Sequence, residues 1–510
     1  MMMTYPGLPE DWGIAVLVLI AIIGLWLIIS PQPRPQTTNR RKLYFSQLPV
    51  VGKWIHRMTT SPWPLLSIRI LITAIFLLII IAGLSGSQIP QRNIATLFTW
   101  NIWWTGVIIS IFFAGSAWCA ICPWDALAHW LVKRRLWRRA PAHTSLNLRV
   151  PRPMRNIFPA LILFIGLSWL ELGVGITTNP YTTALMALLM VVMATVSMLV
   201  FERNAFCRYF CPVGRTIGCY SQLAPIELRP INTTTCANCT TLDCYHGNEN
   251  IDPCPTWLVM GRIQQNSYCT SCGNCSLSCP QQNIDWRLRQ PGSEALQGGR
   301  PHWDEAWFML GLLALTGFHG ITMMPFWKRD ISQLAQLIGD SGQLLWSFTI
   351  GLLICLLAVI SFYALAVKFT HIISRADISY QRLFASLAFV TLPLAFAYHV
   401  AHNLTHLVRE SSGVGGVILN PFGTNTQPVG MAEMHQRMIS MMISPATLHA
   451  IQAGLIVAGF LLAVQIIRYR FRPLKQQSVS LWAMLPIALF AAIMSGFHLW
   501  LLMQPMVMRM

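Results

Sequence analysis

The chain has 510 residues, 54% of them hydrophobic and only 11% charged, with a formal net charge of +18. Soluble domains carry roughly 25% charged residues, so this composition excludes an ordinary soluble enzyme. The positive charge lies in loops between apolar runs, which points to a membrane surface rather than to nucleic acid.

Apolar runs of about 20 residues mark membrane spans. Ten are predicted, at 12–30, 64–86, 95–118, 157–178, 182–201, 305–326, 344–367, 384–408, 446–467 and 481–504. The first follows Glu10 and Asp11 rather than a basic segment and exceeds a signal-peptide core, so it reads as an anchor. Arg69, near the start of the second, is placed to snorkel to the interface. The third ends in Trp118-Cys119-Ala120-Ile121-Cys122-Pro123, and the fifth is followed by Phe206-Cys207-Arg208-Tyr209-Phe210-Cys211-Pro212. The proline in each should stop the helix and leave the thiols at the turn. Two such ends side by side bring four sulfurs together, for a metal, a further Fe–S centre or a redox-active dithiol. Between them, Lys133, Arg134, Arg135, Arg138 and Arg139 read as a topology anchor at the headgroups. Glu171, inside the fourth span, is a candidate proton acceptor, because carboxylates within spans are rare and functional by default.

The long loop after span five carries Cys236-x2-Cys239-x4-Cys244-x9-Cys254-Pro255, then Cys269-x2-Cys272-x2-Cys275-x3-Cys279-Pro280. The second run has the spacing of bacterial ferredoxins, in which the fourth cysteine serves the other cluster. The expected ligand sets are Cys236, Cys239, Cys244 and Cys279 for one 4Fe–4S cluster, and Cys269, Cys272, Cys275 and Cys254 for a second. A zinc ribbon takes four ligands in two pairs and does not account for eight cysteines in this order. Cys219 and Cys355 are left over, the first a weak spare ligand and the second packing.

Histidines mark the C-terminal half. In the eighth span, positions 399, 402, 406 and 410 form one stripe at helical spacing: three histidines and Glu410. His319, His449 and His498 fall at a similar depth on three other helices. Imidazole ligates haem iron, copper and zinc, so the layer is a candidate for b-type haem, copper or iron, or for a quinone site. The loop holding Met431, Met434, His435, Met438, Met441 and Met442 adds a copper reading through soft thioethers.

With the N-terminus outside, 29 of the 36 Lys and Arg fall in inside loops. The positive-inside rule then places the Fe–S module in the cytoplasm and the histidine layer near the periplasm of a bacterial inner membrane. Two helix-end Cys-Pro motifs followed by a double-cluster module resemble the membrane polyferredoxins of the NapH/NosR type, quinol-oxidising or accessory subunits of periplasmic nitrogen-oxide reductases. The spacing of Cys207 and Cys211 matches that family, whereas Cys119 and Cys122 lie one residue closer together. The resemblance implies a quinol-oxidising oxidoreductase subunit with quinone and a periplasmic redox protein as partners.

The expected fold is an all-α integral membrane protein of about ten helices with an inserted two-cluster ferredoxin-like module. Its domains are 1–201, a five-helix membrane half; 202–304, the cytoplasmic module with the second Cys-Pro motif; and 305–510, a second five-helix half. The expected function is electron transfer between the quinone pool, the clusters and a periplasmic-side redox centre. The alternative is an assembly factor delivering electrons or copper to a periplasmic metalloenzyme.

Overall fold

The structure, a computed structural model, describes residues 4–30, 43–135, 139, 144–375, 377–475 and 481–507. The protein is an all-α membrane protein. Among the described residues, eight helices are long and apolar enough to cross a bilayer, or nine if a bent pair counts as one span. In chain order, the long helices are α1 (Glu10–Ile29), α2 (Pro62–Ser85), α3 (Ile94–Ala114), α4 (Phe158–Val174), α5 (Pro180–Val200), α6 (Trp303–Thr322), α7 (Pro325–Ile338), α8 (Leu345–Ser374), α9 (Tyr380–Leu419), α10 (Pro445–Lys475) and α11 (Trp482–Met503).

Two of the ten predicted spans are atypical. α4 is shorter than the rest and finishes in a π-helical turn, Leu170–Val174. The predicted 305–326 span stops at Thr322, and Pro325 opens α7 at 91° to α6. Proline at the first turn starts a helix well but cannot continue one, so the chain turns here. α8 and α9 both run further than predicted. α9 is the centre of the bundle, its apolar window 89% buried. The outer helices expose leucine and isoleucine, such as Ile68 and Leu71 on α2 and Ile354 and Leu357 on α8. Apolar side chains facing outwards on helices of this length are what lipid solvates.

α1 packs on α10 and α11. Beside it, Thr4–Tyr5 pairs antiparallel with Met506–Val507. At the other end of the bundle lies the cysteine-rich segment, built on a three-stranded sheet. Ile284–Leu288 is its middle strand, between Ile226–Pro230 and Leu43–Tyr44. The third strand comes from the first loop, which carried no strand signal. Tyr44 fixes it by donating to the Pro230 carbonyl at 3.0 Å.

Beneath this sheet is a buried charge network. Glu227 pairs with Arg229 at 3.0 Å and Arg287 at 2.6 Å, and Glu294 pairs with Arg229 at 2.9 Å. Arg289 bridges both glutamates. Arg470 of α10 donates to the carbonyls of Ala295 and Gly299 at 2.9 Å each. Buried charges persist only where partners satisfy them. The network thus fastens the cysteine-rich segment to the membrane helices. The basic loop contributes too: Lys133 pairs with Asp252 at 2.9 Å and Arg139 donates to the Asn248 carbonyl at 2.8 Å. Arg138 lies outside the described residues.

Candidate functional site: three cysteine quartets and a histidine cluster

Short turns position the first two quartets. Cys236 sits on Thr233–Ala237 and Cys244 on Asp243–His246, a helix that the left-handed Leu242 opens. Cys275 sits on Asn274–Ser278, opened by left-handed Gly273, and Cys279 follows that helix. The sulfurs couple electrostatically in two sets. Cys244 feels Cys236, Cys239 and Cys279, while Cys275 feels Cys272, Cys269 and Cys254. Cys275 also feels Cys244, so the sets adjoin. Cys236, Cys239, Cys244 and Cys279 are thus neighbours, as are Cys254, Cys269, Cys272 and Cys275.

Backbone amides point at these sulfurs. Leu258 N donates to Cys254 at 3.3 Å, Ser271 N to Cys269 at 3.4 Å and Asn283 N to Cys279 at 3.5 Å. The Asn283 side chain donates to Cys236 at 3.4 Å, so this one residue serves two ligands. Such donors stabilise anionic sulfur and tune cluster potential.

The helix-end cysteines form a third set. Cys207 feels Cys211, Cys122 and Cys119. The prolines do more here than stop a helix. Pro123 opens helix Pro123–Lys133 with Cys122 as its N-cap, and Pro212 opens Pro212–Tyr220 with Cys211 as its N-cap. Gly214 N donates to the Cys211 sulfur at 3.2 Å. Two helix N-termini, favourable places for anionic sulfur, therefore converge on one quartet.

Burial pushes the Cys122 thiol up to about 12 and also raises Cys119, Cys207 and Cys211. Bare thiolates are disfavoured there, so any metal or cluster bound by these sulfurs would displace protons. Zn–S bonds of about 2.3 Å hold tetrahedral sulfurs under about 4 Å apart. Among the described residues, no three cysteine sulfurs lie within 4.8 Å of one another. The quartets as they stand are therefore wider than a tetrahedral zinc site.

Asp125 organises the third quartet, and no sequence motif flagged it. It pairs with Arg69, accepts from Asn204 and lies 3.6 Å from His129. Asn204 in turn accepts from Cys207 N at 3.3 Å. Burial pushes the Asp125 carboxyl up, but His129, Arg69, Lys133 and Asn204 outweigh it and hold the group below its ordinary range. Arg69 therefore turns inwards to a carboxylate instead of snorkelling. Cys219 is buried and couples to acidic groups and Arg215 rather than to the quartets, and Cys355 packs against an apolar cluster.

The third quartet lies beside the second. A cavity of about 90 Å³ touches Cys119, Cys207 and Cys272. Nearby, the Ser116 and Ser271 hydroxyls lie 2.8 Å apart and join the end of α3 to the second quartet. Rings continue inwards: Trp118 to Trp103 at 5.8 Å between centroids, Trp103 to Trp104 at 5.8 Å, and Trp104 to His399 at 5.6 Å. Beside them lies an apolar cavity of about 430 Å³, lined among others by Trp100, Trp104, Trp118, Trp124 and Glu171. Trp100 and Trp103 belong to a second π-helical turn, Leu97–Trp103. π-turns often mark functional sites. Here they present Glu171 and the tryptophans to one space.

A smaller cavity of about 160 Å³ lies towards the opposite face, sharing Trp100, Trp104 and Glu171 and adding His319, His406 and Glu410. Of the six predicted histidines, three come together. The ligand nitrogens of His319, His402 and His406 lie within 4.8 Å of one another. His399 instead meets the Tyr220 hydroxyl at 3.3 Å, and His498 stacks on Tyr398 at 4.4 Å. His449 stands at the start of α10, outside this group. Glu410 is held by Arg409 at 2.8 Å and faces Arg437 at 3.9 Å. From the methionine loop, Met434 lines the smaller cavity, while Met431 and Met442 are exposed.

A family described as "4Fe-4S binding domain" matches residues 96–140 and 183–223. These segments contain Cys119, Cys122, Cys207 and Cys211, so the match supports 4Fe–4S binding and falls on the helix-end motifs. The chain is also similar to the "Putative electron transport protein YccM" of Escherichia coli (strain K12), with 30% identity over 122 residues. That alignment covers 23% of this chain and 32% of the relative, so the chain spans about a third of the curated protein's length. No solved structure matches the chain.

Proposed function

We propose that this chain is an electron carrier of the bacterial inner membrane, exchanging electrons between the quinone pool and 4Fe–4S clusters held by the three cysteine quartets. Clusters bound there supply one-electron transfer. The module faces the cytoplasm, as the 29 of 36 basic residues in loops on that side favour. The similarity to an electron transport protein and the resemblance to membrane polyferredoxins both favour this reading. A periplasmic redox protein is the partner expected at the opposite face.

One observation carries the quinone assignment. The apolar cavity of about 430 Å³ is bounded at one end by Trp118, the neighbour of Cys119, and also by Glu171. Its size lies in the range of small-molecule sites, which are mostly apolar with a few placed polar groups. The buried indole N–H groups of Trp118 and Trp124 have no protein acceptor, which suits a ligand bearing carbonyl oxygens. Glu171 takes the proton that a quinol releases on oxidation and stands at the way out through the smaller cavity.

The test is to mix protein whose clusters have been reduced chemically with a short-chain quinone and follow cluster absorbance. Reoxidation should accelerate with quinone concentration and saturate. A rate independent of quinone would refute the assignment.

A further inference from the structure

The histidine cluster has a geometry that electron transfer through the quartets does not require. We propose that His319, His402 and His406 bind a single first-row transition-metal ion, leaving one coordination position open to the smaller cavity. The inference stands apart from the quinone assignment.

The distances carry it. His402 and His406 face each other across one turn of α9, their Nε2 atoms 3.3 Å apart. Two nitrogens bound tetrahedrally at ~2.0–2.1 Å lie roughly 3.3 Å apart, so this pair already has the bite of one ion. His319 arrives from α6, its ring centroid 5.0 Å from that of His402 and 6.4 Å from that of His406. The two helices meet closely at Gly320, where a Cβ would run into the Tyr398 hydroxyl. The convergence is therefore built into the packing.

The bite of the α9 pair is that of one ion rather than of a haem: a bis-histidine haem places its ligands on opposite faces of a macrocycle, which His402 and His406, one turn apart on one helix, cannot do together. The cavity of about 160 Å³ is also small; sites for drug-sized molecules start near 300 Å³. The other neighbouring groups are engaged: Glu410 with arginines, His399 with Tyr220, and His498 with Tyr398. Three neutral imidazoles with an open position suit copper, zinc, iron or nickel. The thioethers of Met323 and Met434 line the same cavity and favour copper among these.

Cobalt(II) is the probe, because its visible bands report tetrahedral nitrogen coordination. The full-length protein in detergent, washed with chelator under conditions that leave cluster absorbance intact, is titrated with cobalt(II). One equivalent should bind with intense visible bands. His402→Ala and His406→Ala should weaken binding at least a hundredfold, and His319→Ala at least tenfold. His449→Ala should bind as the unaltered chain does, and cluster absorbance retained in every variant confirms folding. If His402→Ala fails to fold, His402→Gln keeps the bulk and answers the same question. Absence of stoichiometric cobalt bands, or bands that survive both α9 substitutions, would overturn the proposal. Quinone-driven cluster reoxidation is read on a separate signal, so the two assignments fail independently.

Discussion

The two faces of the bundle collect ligands by opposite means. At the module face, twelve cysteines come mostly from neighbours in sequence, held by turns of a few residues that aim amides at sulfur. At the opposite face, three imidazoles come from two helices whose mutual distance depends on a glycine. The first kind of site is written in spacing. The second is written in packing, and its failure modes should differ accordingly.

The sharpest break in this comparison is the loss of one quartet. Three 4Fe–4S clusters require about twelve irons. Cys211→Ser should remove about four of them, and Cys275→Ser another four, each detected by iron analysis and cluster spectra. An unaltered chain with about eight irons, unchanged by Cys211→Ser, would leave the helix-end quartet without a cluster.

Next in size is Asp125→Asn. Removing one partner from a buried ion pair costs about 3–5 kcal/mol, because the remaining charge stays buried. Arg69 would be left facing His129 without its carboxylate. The expected result is loss of the third cluster on mild heating while the other two persist. Equal heat loss of all clusters would show that Asp125 supports the whole module rather than one quartet.

Glu171→Gln probes the space between the faces. General acid–base groups contribute about 10²–10⁴-fold, so quinol-driven cluster reduction should slow about a hundredfold while iron content holds. Although Glu171 also lines the smaller cavity, it is not among the three grouped ligands, so cobalt binding at the histidines should be unchanged.

How far the sequence foretold this molecule follows the same division. Apolar runs announced the membrane helices, since the bilayer sets their length, and ferredoxin spacing offered a grouping of the sulfurs. Helical periodicity put His399, His402 and His406 on one stripe but could not tell which neighbours would reach each ring. Tyr220 and Trp104 take His399, and His319 completes the pair below it. Arg69 looked like a snorkelling residue because its partner, Asp125, is remote in sequence and carries no motif. The Leu43–Tyr44 strand was invisible for a related reason: two residues have no period to read. The bend at Pro325 was legible in principle, but the apolar run across Met323 and Met324 masked it.

The smallest expected effect concerns how the module is fastened to the bundle. Burial pushes the Glu227 carboxyl up, but Arg229, Arg289 and Arg287 prevail and hold it below its ordinary value of 4.5. A group whose folded pKa is depressed stabilises the fold fully above its unfolded pKa and loses that contribution as pH falls through the folded one. Glu227→Gln keeps the shape and replaces charge-assisted hydrogen bonds by neutral ones, a loss of about 2 kcal/mol. Denaturation midpoints of the two proteins should therefore differ by the same amount at pH 8 and pH 6, and converge only in acid below the ordinary glutamate range. A gap that changes between pH 8 and pH 6 would assign the linkage to some group other than Glu227. A constant gap would mean that the module is held by fixed charge, whereas a metal held by the histidines at the other face must compete with protons over that same range.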